Sequence, residues 1–206
     1  MSLQTFVKIS AVTNLSDARY CAGMGVDMLG FSLDPSAETF VDPITFQSIT
    51  EWVAGVQLIG EVESIEPDAL QELVKNYPID GLQIGNSSDW KGLQAAGLTL
   101  LCKILWTEDL SLQNFQSQYD SIKPYVSYFL IESEEDSITP EIGYHLTQIA
   151  EHYPIILGFG IQQNSILQTL SSIPFKGIAL KGGQEIRPGY KDFDDLAEIL
   201  EVLETE

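Results

Sequence analysis

The chain has 206 residues, 44% of them hydrophobic, and a formal net charge of −20 from 30 acidic against 10 basic side chains. That hydrophobic share supports a packed core and argues against disorder. The acidic surface repels phosphate backbones and anionic membranes, which excludes nucleic-acid and membrane-surface roles.

No apolar run nears the roughly 20 residues of a spanning helix, and "MSLQTFVK" lacks the basic and apolar regions of a signal peptide. Cys21 and Cys102 are too few for a disulfide framework and match no metal-binding spacing. A cytoplasmic protein without metal or cofactor is expected.

The first strand is read at 5–10, "TFVKIS", and Asn14, three residues before Asp17, opens the helix behind it. Strands follow at 27–33, 56–62, 80–84, 98–105, 126–132, 155–159 and 177–180. Helices start at Pro43, Pro67 and Pro140, first-turn positions where a missing N–H is harmless. The closing segment "DFDDLAEILEVLETE" sets Phe193, Leu196, Ile199, Leu200 and Leu203 on one helical face.

Strands this apolar, separated by helices, imply a parallel sheet covered on its outer face. Eight units of about 25 residues with no long linker predict one (β/α)₈ barrel domain over residues 1–206, minimal beside the usual ~250. An open doubly wound sheet is the alternative, but it more often has five or six strands, and "ISAVTN" after the first strand contains no dinucleotide-type glycine.

A barrel carries its chemistry at the C-terminal ends of its strands. Those ends hold Ser10, Asp34, Glu61, Glu63, Gly85, Asn86, Trp106, Glu132, Gly158 to Gly160 and Lys181 to Gly183. The two-residue strand period points Lys8 with Ser10, Lys103, and Glu132 inward, and turns Cys102 outward. His145 and His152 fall in the helix pattern 140–152, away from the strand ends. "GFGIQQNS" and "LKGGQE" place glycines in the last two loops, where backbone N–H groups converge on a phosphate or merely permit tight turns.

The assembled motifs resemble the phosphoribosylanthranilate isomerases, the barrel enzymes of tryptophan biosynthesis. "VKISAVTNLSDARYCAGMGVDMLGFSL" is similar to that family's opening, K-I-C-G-[IL]-T, then D-A, then G-A-D-x-x-G-F. "DGLQIGN" is similar to its V-Q-L-H-G strand, and "LGFGI" to its L-[AS]-G-G-L loop. "KGGQEIRPGYKD" is similar to its S-S-G-V-E-x-x-P-G-x-K-D segment, keeping Gly183, Glu185, Pro188, Gly189, Lys191 and Asp192.

The resemblance implies an Amadori rearrangement of N-(5'-phosphoribosyl)anthranilate. One group protonates the ring oxygen, and another removes the proton from the second sugar carbon. It places the acid at Glu132, where the family has aspartate, and the base at Ser10, where the family has cysteine. It also implies substrate and phosphate contacts at Lys8, Gln83, Lys103, Gly158, Gly160, Lys181, Gly182 and Gly183.

The departures are chemical. A thiol of pKa ~8.5 supplies some thiolate near neutrality, whereas a serine hydroxyl supplies essentially none without an adjacent base. The family's loop arginine aligns with Thr39, its strand-four histidine with Gly85, and its strand-eight aspartate with Ala179. Lys8 and Lys103 need a carboxylate partner if buried, and Glu132 is expected to join them in a Lys8–Glu132–Lys103 network. Asp34 and Glu61 stand as alternative bases.

The expected function is an isomerase-like barrel with weak or lost activity. The alternatives are a repurposed barrel that binds a phosphorylated small molecule and an interaction module. A monomer or homodimer is expected.

Overall fold

In the computed structural model, which describes residues 2–87, 89–182, 185–187, 190–191 and 194–205, eight parallel strands close on themselves in sequence order. They are β1 (Phe6–Ser10), β2 (Met28–Ser32), β3 (Gln57–Ser64), β4 (Gly81–Asn86), β5 (Thr99–Leu105), β6 (Tyr128–Glu132), β7 (Ile155–Leu157) and β8 (Gly177–Lys181). β8 returns to β1 with Phe6 opposite Gly177 and Ser10 opposite Lys181, which completes the barrel.

The helices between them are α1 (Leu15–Gly23), α2 (Pro43–Thr50), α3 (Pro67–Asn76), α4 (Trp90–Gln94), α5 (Leu112–Tyr119), α6 (Pro140–Ala150), α7 (Ile166–Ser172) and α8 (Asp194–Leu203). The expected starts hold. Asn14 accepts from the Asp17 N–H at 3.0 Å, and the prolines open α2, α3 and α6.

Two strand limits differ from the sequence reading in ways that matter. β3 runs on to Ser64, which brings Glu63 into the sheet, and β7 stops at Leu157, which leaves Gly158 and Phe159 in the loop. Phe193, from the predicted apolar face of α8, lies outside the described residues.

The strands bury both faces. Val7, Ile9, Leu29, Phe31, Cys102 and Ile104 pack outward against the helices. Met28, Ile59, Leu101, Leu130, Ile156 and Ala179 fill the barrel itself. Phe6 and Tyr128 stack at 5.3 Å between centroids and close the N-terminal end of that interior.

Aspartates just ahead of strands tie the N-terminal rim. Asp27 accepts from the Val7 N–H and Asp80 from the Leu58 N–H, each at 2.8 Å. Beneath the barrel, Ser2–Leu3 pairs antiparallel with Glu204–Thr205. A second antiparallel pair, Glu185–Arg187 with Tyr190–Lys191, follows β8. Among the described residues no helix is long and apolar enough to cross a membrane.

Candidate functional site

Above the apolar interior, the inward positions of β1, β3, β4 and β5 turn polar. Lys8 is fully buried, and its ammonium is paired with Glu61 and donates to Ser10 Oγ at 2.6 Å. The second Glu61 oxygen accepts from the Ala11 N–H at 3.2 Å. Gly30 makes this possible, because a Cβ there would collide with the Glu61 carboxylate and the Lys8 ammonium.

One layer higher, Lys103 donates to Glu63 at 2.8 Å. Gly85 leaves space for that partner, since a Cβ on it would lie 2.7 Å from Glu63 Oε1. Burial opposes the charge of Lys103. The hydrogen bond and charge of Glu63, helped by Glu132 and Glu61, outweigh it and raise the lysine's pKa.

The expected Lys8–Glu132–Lys103 network is therefore replaced by two separate pairs, Lys8–Glu61 and Lys103–Glu63. The reason is register. Glu61 and Glu63 project from β3 on the same face as Lys8 and Lys103, whereas Glu132 ends β6 opposite Leu105, at the rim. Applying the two-residue period to "GEVES", as to "VKIS", points both glutamates inward. Reading β3 only to residue 62 left Glu63, already named at the strand end, without that parity.

Ser10, Asp34, Glu61, Gln83, Lys103 and Glu132 line a cavity of about 340 Å³ at the C-terminal mouth. Glu132 and Lys181 also border a larger cleft of about 1220 Å³ beside the mouth, walled by Trp106, Glu108, Glu141 and His145. His145, expected to sit away from the strand ends, instead faces this cleft from α6, which follows β6 directly. His152 is at the far end, its Nδ1 2.9 Å from the Gln148 carbonyl.

The possible proton acceptors are few. Ser10 already accepts from Lys8, and the Lys8 ammonium is held by Glu61. Two hydrogen bonds from Ser36 to Asp34 hold that carboxyl below its ordinary range. Cys102 faces the helices, and burial pushes its thiol up to about 12. Cys21 is buried under α1. The Glu132 carboxylate makes no hydrogen bond among the described residues and is half-buried between the two cavities.

Ala11 carries φ +57°, left-handed backbone that favours glycine. The motif resemblance places a glycine at this position. In the last two loops, the Gly158 N–H donates to the Ile131 carbonyl at 2.8 Å and the Gly182 N–H to the Ser10 carbonyl at 3.1 Å, so both are engaged inside the barrel. Gly160 adopts φ +61°, Lys181 is exposed, and Gly183 lies outside the described residues.

The chain matches no family model. It is 25% identical over 199 residues to the N-(5'-phosphoribosyl)anthranilate isomerase of Maridesulfovibrio salexigens, covering 95% of this chain and 96% of that one. The chain is related to the phosphoribosylanthranilate isomerases. Their solved structures share its fold. The Thermotoga maritima enzyme superposes with a TM-score of 0.78 at 16% identity, over 97% of this chain and 98% of that one. A phosphoribosylanthranilate isomerase bound to reduced 1-(o-carboxyphenylamino)-1-deoxyribulose 5-phosphate superposes at 0.75, again at 16% identity, with coverage of 97% and 98%.

Proposed function

We propose that this barrel is a phosphoribosylanthranilate isomerase relative whose isomerisation is weak or lost and whose mouth still receives a phosphorylated small molecule. One observation carries the reading. The hydroxyl at the base position, Ser10, accepts a hydrogen bond from the Lys8 ammonium at 2.6 Å. A group that must abstract a carbon-bound proton needs a basic neighbour to activate it. Ser10 has a cation there instead.

The other changes act in the same direction. Thr39 supplies no charge where the resemblance places an arginine. Glu132 keeps a carboxyl group at the acid position, one methylene longer than aspartate, and a misplacement of about 1 Å can cost on the order of a hundredfold. Phosphate binding rests on Gly160 and Lys181, with Gly183, because the Gly158 and Gly182 N–H groups serve the barrel.

Steady-state turnover of freshly generated phosphoribosylanthranilate by the purified chain tests the catalytic half, and absent or trace turnover is expected. Robust turnover would instead make Glu132 both acid and base, since its carboxylate alone among the mouth acids is neither ion-paired nor held by Ser36. A titration with inorganic phosphate, followed by amide resonances, tests the phosphate half. Shifts are expected at Gly160 and Lys181, and their absence would remove the phosphate from the proposal.

A further inference from the structure

A serine hydroxyl both accepts and donates, and in this barrel only one of the two roles is filled. An ammonium has donors alone, so the contact between Lys8 and Ser10 Oγ makes the lysine the donor and the serine the acceptor. The hydrogen of Ser10 then needs an acceptor of its own, and no described residue provides one. Ser10 ends β1 on the inward face and lines the mouth cavity, with 5% of its surface exposed. Lys8 lies below it on the same face, so the open direction for that hydrogen is the mouth.

The donor is also reinforced from behind. Lys8 is fully buried and is kept charged by its pairing with Glu61. A hydrogen bond from a cation is stronger than a neutral one, and hydrogen bonds in series polarise each other. The Lys8 ammonium therefore strengthens the Ser10 O–H as a donor. Water can meet this hydrogen, but a ligand that displaces the water has to bring an acceptor in its place.

We infer that Ser10 is a specificity-determining donor and that it takes the carbonyl oxygen of a small phosphorylated ketone. A carbonyl oxygen is the negative end of a dipole and carries no hydrogen, which matches a donor with a buried cation behind it. The size of the ligand follows from register. Ser10 is the cross-strand partner of Lys181, and the Gly182 N–H donates to the Ser10 carbonyl. Neighbouring strands lie about 4.8 Å apart, so a link of a few atoms joins a phosphate at Lys181 to a carbonyl at Ser10. The phosphate end of this ligand rests on the functional proposal, whereas the carbonyl end rests on Ser10 alone.

The test uses dihydroxyacetone phosphate, labelled with carbon-13 at its carbonyl, and glycerol 3-phosphate, which has a hydroxyl in place of that carbonyl. Each is titrated into the intact chain. The bound ketone is expected to show its carbonyl resonance moved downfield and its stretching band moved to lower wavenumber, and Ser10→Ala is expected to abolish both shifts. The ketone is expected to bind about threefold or more tighter than the alcohol, within the range of one net hydrogen bond. Ser10→Ala is expected to bring the two affinities together. If that variant does not fold, the shifts and the preference of the unchanged chain decide. No binding of the ketone, a bound carbonyl without the shifts, or shifts that survive in Ser10→Ala would each overturn the inference. Inorganic phosphate, titrated separately, keeps the two proposals apart. Its amide shifts at Gly160 and Lys181 without a polarised carbonyl would sink this inference alone, and a polarised carbonyl without those amide shifts would sink only the phosphate half of the functional proposal.

Discussion

The lower and upper halves of the barrel interior follow different rules. Below, Met28, Ile59, Leu101, Leu130, Ile156 and Ala179 interdigitate without a polar atom among their side chains, and the Phe6–Tyr128 stack closes them off. Above, β1, β3, β4 and β5 contribute Lys8, Glu61, Glu63, Gln83 and Lys103, which make two matched ion pairs and leave one orphan oxygen among the described residues. The lower layer is what a parallel barrel needs to close. The upper layer burdens it, because a buried ion pair is seldom more stabilising than apolar side chains of the same size. Its presence marks the end of the barrel where the fold accepts a cost in stability.

The sharpest way to break that contrast is to remove half of the deeper pair. Glu61→Ala leaves the fully buried Lys8 ammonium unmatched and is expected to cost about 3–5 kcal/mol in chemical denaturation. The double change Lys8→Met with Glu61→Leu is expected to be neutral or to stabilise by about 1–4 kcal/mol. Were the double variant as damaged as the single one, the pair would be a structural strut and the contrast between the layers would collapse.

Below, Leu101→Ala opens a cavity and is expected to cost about 2–5 kcal/mol, with no apolar double substitution available to restore it.

Smaller effects sharpen the boundary between the halves. Ala11→Gly relieves a left-handed backbone that costs an alanine about 1–2 kcal/mol, less the 0.4–1 kcal/mol of added freedom in the unfolded chain. A gain of up to about 1.6 kcal/mol in unfolding free energy is expected, and a loss would mean that the Ala11 methyl group packs usefully.

The Lys103–Glu63 pair is exposed on the glutamate side and contributes at most about 1 kcal/mol. Because the folded-state pKa of Lys103 is raised above its ordinary 10.5, that contribution is fully present below about pH 10.5 and is lost as pH climbs through the raised value. Glu63→Gln is expected to lower the Lys103 pKa in an NMR titration and to shrink the stability lost in that alkaline window.

Much of the architecture was legible because it rests on local rules. Strand apolarity, proline-started helices and the Asn14 cap each state their element without reference to the rest of the chain. The positions of Ser10 and Glu132 were legible too, as strand ends on inward parity, whereas Gln83 came only from the motif resemblance. The ion pairs were not. Which acid meets Lys8 depends on the stagger between β1 and β3, a three-dimensional quantity that no spacing within one strand records.

Gly30 and Gly85 show the same limit. Each sits in a strand where glycine lacks a local reason, and each is explained only by the carboxylate that occupies the space beside it. His145 was set aside because it lies within a helix. That helix starts at the rim, so its second turn still faces the cleft.

The most direct test of the account is the specificity constant for phosphoribosylanthranilate of Ser10→Cys against the unchanged chain. A thiol beside the Lys8 ammonium has its pKa lowered and supplies the missing proton acceptor. A rise in kcat/KM of about a hundredfold or more is expected, within the range that general bases contribute. Turnover by the unchanged chain at the level of its Ser10→Cys variant would show that the polar layer already contains a working base, and would contradict the account.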